Sequence, residues 1–272
     1  MKELKQAIID KDCLLAALNV AVAFQKDSGC LQQYLQQMDN WKTQASVYIN
    51  STELTEHSFR RFIEFFFVQL AFSGSDKYYF SSQYSLLTQV LEYRTGMPVS
   101  LAIIFQSLGN SLGFDIHGVN FPGHFLVKCK FNNAPAVFVD PLNGKQLSRG
   151  NLEKLYFSIL NEFEDEGMPE EALNEACCEE TLVRLLHNLK CAYISEKKYT
   201  EALGVVDTLV QLCPNDPYER RDRGFLLHQL DCTQVAIADY QFFISQCPKD
   251  PATQLLQAQL QHLNEQTPAV FH

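Results

Sequence analysis

The sequence has no long hydrophobic run. Its longest apolar stretch, Leu14 to Phe24, has 11 residues and is interrupted by Asn19, whereas a helix that crosses a bilayer needs roughly 20. The small-residue cleavage site of a secretion signal does not follow this stretch either. These absences predict no contact with a membrane, and we expect the protein in the cytoplasm.

Motifs of paired cysteines and clustered histidines are also missing. The nine cysteines are an odd number without a Cys-x-x-Cys pair, and the seven histidines form no His-x-x-x-His or His-Glu-x-x-His motif. Neither a disulfide framework nor a zinc site is therefore expected. We predict free thiols, no metal and no cofactor.

Positive charge is scarce and dispersed. The chain has 22 Lys and Arg against 32 Asp and Glu, a formal charge of −10, and without a basic cluster it is not expected to bind nucleic acid. Nine acidic residues and no basic one lie between Asn161 and Glu180. We interpret residues 161–180 as an acidic connector between two domains, either solvated or a docking surface for a basic partner.

The C-terminal third contains a sequence repeat. Cys213-Pro-Asn-Asp-Pro217 recurs as Cys247-Pro-Lys-Asp-Pro251 at an offset of 34 residues, the period of tetratricopeptide repeats. Other small or apolar residues follow the same offset: Ala202 and Ala236, Val206 and Tyr240, Leu209 and Phe243, and Tyr193 and Leu227. In such a repeat two antiparallel helices approach at the alanine, and a proline stops the second helix.

Residues 181–272 are therefore predicted to be an all-α helical repeat domain that ends in a capping helix from Ala252 to Leu263. Two functions of this domain stay open. It could offer a concave surface to a protein or peptide, or it could only complete the fold. No basic cluster that could clamp a carboxylate is visible in the repeats.

Residues 1–160 are predicted to be an α+β domain. Apolar spacing indicates amphipathic helices around Leu14–Leu18, Leu31–Met38 and Phe59–Phe72. The segment from Arg94 to Gly113 predicts a nearly all-apolar, proline-initiated helix ended by glycine. Three strand-like runs follow, at 115–121, 124–131 and 136–139, and the last closes at Asp140-Pro141.

Three segments carry a resemblance to a known family. They are Arg94-Thr-Gly-Met-Pro-Val-Ser-Leu-Ala102, Gly118-Val-Asn-Phe-Pro-Gly-His-Phe-Leu126 and Asp140-Pro-Leu-Asn-Gly144. Together with the repeats they resemble the SirB-type bacterial family, which joins a transglutaminase-like, papain-related core to C-terminal tetratricopeptide repeats. The resemblance covers nearly the whole chain.

The resemblance implies where a catalytic site would lie. Active members of the superfamily use a cysteine at the start of the central helix, a histidine base on the next strand and an orienting aspartate. These roles carry over to His124 and Asp140, but the cysteine position falls on Pro98, which has no nucleophilic atom. The nearest hydroxyl, on Ser100, is two residues further, which rotates it about 200° around the helix. Cys129, five residues past His124 in the same run, should face the other side of the sheet.

Three interpretations of His124 and Asp140 remain. They could be a buried structural pair, or part of a ligand-binding cleft lined also by Asn120, Pro122 and Gly123, or a catalytic set with Ser100. We expect a non-enzymatic scaffold, adaptor or regulatory protein that binds a protein or peptide partner. The alternative is a hydrolase or acyltransferase that uses Ser100, His124 and Asp140.

Overall fold

The computed structural model describes residues 2–25, 31–75, 81–132, 134–160 and 167–266. The chain forms two compact units, Met1–Asn188 and Leu189–His272. The expected connector is therefore not a linker where the structure describes it: Met168 and Leu173 are buried in the first unit, against Val119, Phe121 and Leu126. Residues 161–166 of that connector lie outside the described residues.

The first unit combines helices with a small sheet. Its helices are α1 (Lys2–Ile9), α2 (Cys13–Phe24), α3 (Leu31–Ile49), α4 (Glu56–Glu64), α5 (Leu87–Tyr93), α6 (Pro98–Ser111), α7 (Arg149–Leu160) and the start of α8 (Cys178–Ser195). Its strands are β1 (Ser73–Gly74), β2 (Thr95–Gly96), β3 (Asp115–Val119), β4 (Leu126–Phe131), β5 (Ala134–Val139) and β6 (Gln146–Leu147). Short 3₁₀ turns lie at Ser82–Tyr84 and Glu170–Leu173.

The aromatic helix predicted from Phe59 to Phe72 is divided. α4 ends at Glu64 and continues as a π-helical segment, Phe65–Gln69, in which Leu70 N–H donates to Phe65 O over 2.9 Å. Ala71 then takes a left-handed φ of 56° and ends the helix. Phe72 consequently lies outside it, yet its ring stacks on Phe66 at 4.4 Å.

The predicted central helix is confirmed as α6, which Pro98 opens and whose apolar side chains are almost all buried. It packs against an antiparallel sheet of order β3-β4-β5-β6. The predicted strands differ at their ends: β3 stops at Val119, β4 starts at Leu126, and β5 already starts at Ala134. The prediction for 124–131 was therefore wrong at His124, which lies in a turn.

The second unit confirms the helical repeats. It runs from Leu189 in α8 through α9 (Tyr199–Leu212), α10 (Pro217–Gln229), α11 (Thr233–Gln246) and α12 (Pro251–Gln266). All eight residues matched at the 34-residue offset are buried. The predicted capping helix is α12, which starts one residue earlier than expected.

The repeated Cys-Pro-x-Asp-Pro segment separates successive helix pairs. The first proline follows the end of α9 or α11, as predicted, but the second proline opens the next helix. Asp216 and Asp250 precede these opening prolines, and their carboxylates accept backbone N–H groups of Tyr218 and Ala252 at 2.9 and 2.8 Å.

Charged side chains connect the helices of the second unit. Lys190 Nζ donates to both carboxylate oxygens of Glu219, at 2.9 and 3.0 Å, and to Asp222 at 2.7 Å. Arg223 forms a bidentate pair with Asp239, at 2.6 and 2.7 Å, and Arg220 reaches the same carboxylate. We call this set, which spans α8, α10 and α11, the ion ladder. Within the described ranges, no helix is long and apolar enough to cross a membrane.

Candidate functional site

His124 lies in the segment between β3 and β4, where buried aromatic residues before and after it fix its position. Phe121 and Phe125 are almost fully buried, and Gly118 leaves room for the Phe125 ring, which would lie 2.8 Å from an added Cβ. Between them Pro122 and Gly123 form a tight turn, closed by His124 N–H donating to Phe121 O over 3.0 Å. Gly123 has a φ of 64°, which favours glycine.

The segment after β5 holds Asp140 in a hydrogen-bonded turn. Its carboxylate Oδ1 accepts Leu142 N–H at 2.9 Å, and its carbonyl accepts Gly144 N–H at 2.8 Å. Leu142 O in turn accepts Gly74 N–H at 2.7 Å, which ties this turn to β1. The Asp140 carboxylate is therefore oriented by a backbone N–H group, independently of its contacts with other side chains.

His124 and Asp140 meet where these two segments approach each other. His124 Nε2 lies 3.2 Å from Asp140 Oδ1, and the histidine is 9% exposed. Burial alone would raise the pKa of Asp140, but hydrogen bonds from His124 and from Leu142 N–H outweigh it and lower that pKa. Asp140 therefore carries its charge in the folded protein and orients the imidazole through Nε2.

The structure does not present a nucleophile at the start of α6. Pro98 is buried as the first helical residue. Ser100 is 0% exposed, and its Oγ donates to Tyr84 O at 2.7 Å and accepts Met97 N–H at 2.9 Å. The serine hydroxyl thus closes the end of α6 and holds the Tyr84 backbone, a structural task that occupies its proton.

The other predicted site residues, Asn120, Pro122 and Gly123, precede His124 in the chain, and none of them is buried. Asn120 is exposed, and its Oδ1 accepts a hydrogen bond from Arg184 at 3.2 Å. Pro122 is half-buried, and Gly123 is exposed with Ile159 of α7 directly over its Cα. Cys129 is buried and lies in β4 opposite Ile116 and Val137. Burial raises the pKa of this thiol to about 12, which keeps it protonated.

Known proteins match this chain in both units. A model of the transglutaminase-like superfamily matches residues 32–187, and a tetratricopeptide repeat model matches residues 189–261. The chain is 36% identical over 214 residues to the UPF0162 protein of Vibrio cholerae serotype O1, covering 79% of this chain and 78% of that protein. It is 30% identical over 277 residues, the full length of both chains, to UPF0162 protein BU173 of Buchnera aphidicola.

A third relative is Protein SirB1 of Salmonella typhimurium, 31% identical over 205 residues that cover 75% of this chain and 76% of that protein. The chain belongs to the SirB1/UPF0162 family. This confirms the SirB-type resemblance and the fold class predicted from the three motifs. No solved structure matches the chain.

The names of these SirB1/UPF0162 relatives state no activity, so the geometry must carry the functional argument. Sequence reasoning named His124 and Asp140 but missed the groups around them, namely the side chains of Phe125 and Ile159 and the backbone N–H of Leu142. Gly118 and Gly123 were the available signal, because a glycine beside a buried aromatic or aliphatic side chain marks a close approach. Within the part of the chain that the structure describes, no group of three His, Cys, Asp or Glu side chains could hold a metal ion.

Proposed function

We propose that this SirB1/UPF0162 protein is a non-enzymatic scaffold or adaptor. It binds a protein partner through an exposed face of its repeat unit and through the transglutaminase-like cleft around His124 and Asp140. The observation that supports the proposal is at the start of α6, where Pro98 stands at the position that the resemblance assigns to the nucleophile and Ser100 is buried. On this proposal, His124 and Asp140 have no nucleophile to activate at the start of α6, which the structure describes in full.

The sealed hydroxyl argues against the serine hydrolase alternative. Attack on an acyl carbon requires an oxygen that can approach the substrate and lose its proton to the histidine. Ser100 Oγ is enclosed and donates its proton to Tyr84 O. Releasing it would break the hydrogen bonds of Ser100 to Tyr84 O and Met97 N–H, each worth about 0.5–1.5 kcal/mol, while these two backbone groups stay bonded to each other.

The repeat unit supplies an exposed face for a partner. Tyr218 and Phe225, seven residues apart and therefore on one side of α10, are 43% and 40% exposed. Arg221 lies between them in the sequence, and its guanidinium carbon is 5.2 Å from the centroid of the Tyr218 ring, a cation–π contact. Leu255, 34 residues after Arg221, occupies the equivalent position on α12 and is 75% exposed. Aromatic and arginine side chains of this kind dominate protein interfaces.

Site-directed photo-crosslinking tests the proposed partner-binding face. A photoreactive phenylalanine analogue is placed at Phe225 on α10 and, as a matched control, at Val235, an exposed apolar position on α11. We expect one reproducible protein adduct from position 225 and none from position 235. Copurification of the same partner should be lost in Phe225→Ala and kept in Val235→Ala.

The competing hypothesis is tested on the same purified chain. Esters, amides and peptides are offered to the wild type, to Ser100→Ala and to His124→Ala. Turnover by the wild type that both substitutions abolish would replace the adaptor proposal with the hydrolase or acyltransferase. No turnover together with the position-225 adduct supports the adaptor.

A further inference from the structure

A second group of reactive side chains lies in the first unit, away from His124. A groove of about 510 Å³ is lined by three cysteines, Cys13, Cys177 and Cys178, together with His117 and Glu175. Cys13 and Cys178 are 165 residues apart in the sequence, yet both line this groove and lie close enough for each to shift the pKa of the other. Neither family motif nor repeat explains this contact.

Both cysteines are held on fixed backbone. Cys13 is the first residue of α2, where the carboxylate of Asp12 caps the helix by accepting Leu15 N–H at 2.9 Å. Cys178 is the first residue of α8, and the chain just before it is bonded to β3, with Ala176 N–H donating to Gly118 O over 2.8 Å. The positions of the two thiols are therefore set by two anchored helix starts.

The neighbouring cysteine has a different task. Cys177 caps α8: its Sγ accepts Glu180 N–H at 3.4 Å, while its own N–H donates to the Glu180 carboxylate at 2.7 Å. Cys177 is exposed, whereas Cys178 is 7% exposed and turned toward Cys13. Of these two thiols, Cys177 would be oxidised first if exposure alone decided. The proximity of Cys178 to Cys13 favours oxidation of Cys178 instead.

We propose that Cys13 and Cys178 form a redox-active dithiol site, which a small peroxide entering the groove oxidises to an intramolecular disulfide. Cys178 attacks one peroxide oxygen, the O–O bond breaks, and the products are a sulfenic acid and water. The Cys13 sulfur then attacks the Cys178 sulfur, and the sulfenic oxygen leaves as a second water. Two thiols and one hydrogen peroxide thus give one disulfide and two waters, and a dithiol reductant restores the pair.

The roles of the two sulfurs follow from their surroundings. The hydrogen bond from Cys13 lowers the pKa of Cys178 against the effect of burial, and the same bond, with burial, raises the pKa of Cys13. Because the thiolate is the nucleophile, Cys178 reacts first and Cys13 resolves the product. The disulfide would join the start of α2 to the start of α8 across the groove.

Peptide mapping of the full-length chain tests this site. The reduced protein is treated with hydrogen peroxide, free thiols are blocked, and tryptic peptides are analysed by mass spectrometry. Cleavage after Lys11, Lys26 and Arg184 leaves Cys13 and Cys178 in separate peptides. We expect these peptides to be crosslinked, two hydrogens lighter than their sum, and separated again by a dithiol reductant.

Cysteine variants assign the crosslink, since Cys177 shares the tryptic peptide of Cys178. Cys177→Ser should keep the crosslink and Cys178→Ser should lose it. In Cys13→Ser we expect Cys178 to accumulate as a sulfenic acid that a 1,3-dione traps. Oxidation should raise the melting temperature of the wild type and of Cys177→Ser by on the order of 5 °C, because the closed loop restricts the unfolded chain.

Two results would overturn the assignment. One is a crosslink that survives in Cys178→Ser, which would show that Cys177 is the partner of Cys13. The other is a wild type in which Cys13 and Cys178 stay reduced while exposed thiols such as Cys177 and Cys191 are oxidised. Circular dichroism shows whether each variant is folded. If a variant does not fold, the peptide map of the oxidised wild type alone tests the proposal.

Discussion

Gly123 occupies a position without room for a side chain. An added Cβ would lie 2.6 Å from Ile159 Cγ2, and the residue has a left-handed φ of 64°. We expect Gly123→Ala to lower the free energy of unfolding by about 1–3 kcal/mol. Gly150→Ala is the matched control, because nothing lies within 4 Å of its Cβ position in α7, and it should be neutral or slightly stabilising. Urea denaturation measures both, and equal effects would contradict the crowding.

Asp140 makes the stability of the first unit depend on pH. Its folded pKa is lowered below the ordinary value of about 3.9, so the folded chain binds this proton less readily than the unfolded chain. The stabilisation is therefore present above that value and is lost as pH falls through the folded pKa. We expect Asp140→Asn to cost on the order of 1–3 kcal/mol at pH 7 and progressively less toward pH 3.

The control for this prediction is Asp39→Asn, at an exposed position of α3 in the same unit. Urea unfolding at several pH values should give nearly parallel curves for the wild type and this control. If Asp140→Asn lowers the free energy of unfolding equally at pH 3 and pH 7, the charge of the Asp140 carboxylate does not stabilise the fold.

At the level of single residues, some contacts of the candidate site were predictable from the sequence and others were not. His124 and Asp140 could be named because each stands beside the end of a recognisable strand, and the resemblance gave them roles. The partner of Ser100 could not be named, since the Tyr84 carbonyl is an unmarked backbone atom 16 residues away. The contact between Cys13 and Cys178 depends on the packing of two distant helix starts and leaves no local pattern.

Among the elements, the π-helical segment contains one aromatic ring, that of Phe66, which contacts several others. Phe66 is fully buried and contacts the rings of Phe72, Phe67 and Phe105. Phe66→Ala should reduce the free energy of unfolding by about 3–5 kcal/mol, as expected for loss of a core aromatic. Val68→Ala in the same segment should change it by less than about 0.5 kcal/mol, since Val68 is 63% exposed. Guanidinium denaturation distinguishes the two.

The start of α6 depends on the Ser100 hydroxyl. Ser100→Ala removes one donor to Tyr84 O and one acceptor of Met97 N–H, which keep their hydrogen bond to each other. We expect a loss of about 0.5–1.5 kcal/mol in unfolding free energy for each bond removed. Ser111→Ala, at the exposed end of the same helix, should cost little. A Ser100→Ala protein as stable as the Ser111→Ala control would show that the hydroxyl does not hold the helix start.

Element boundaries were predicted less well than element types, for identifiable reasons. The run from His124 to Phe131 alternates like a strand, but Pro122 and Gly123 turn the chain so that pairing starts only at Leu126. The aromatic spacing after Phe59 continues past Glu64, and nothing in it distinguishes a π-helical turn from an α-helical one. The 34-residue repeat was predictable because its Cys-Pro-x-Asp-Pro segment recurs at a fixed offset in the sequence.

In the molecule as a whole, the ion ladder joins helices that are distant in sequence. Glu219 and Asp239 are 3% and 1% exposed, and each depends on basic partners from its own unit. Lys190→Ala would remove the buried cation that Glu219 and Asp222 share, so we expect a loss of about 3–5 kcal/mol. Lys198→Ala is the control, because this lysine is 51% exposed and its pair with Glu196 is at the surface.

Thermal unfolding followed by circular dichroism compares the two lysine variants. A wild-type melting curve for Lys190→Ala would show that the buried pair has little net effect. The sequence did not predict the ion ladder, because its basic residues are dispersed along the chain and form no cluster. The arginines of α10 stand beside acidic residues, and only the folded repeat shows that these acids are buried.

The four-stranded sheet is covered only in part along its edges. On the β3 side Ala176 N–H covers Gly118 O, and on the other side β6 pairs only with Phe138 and Val139 of β5. An uncovered edge strand recruits other chains by backbone pairing and promotes aggregation. Pro135 lies in the part of β5 that β6 leaves unpaired, and it has no N–H group with which to bind a further strand. A partner that docks on this unit is therefore better recognised by its side chains than as an additional strand.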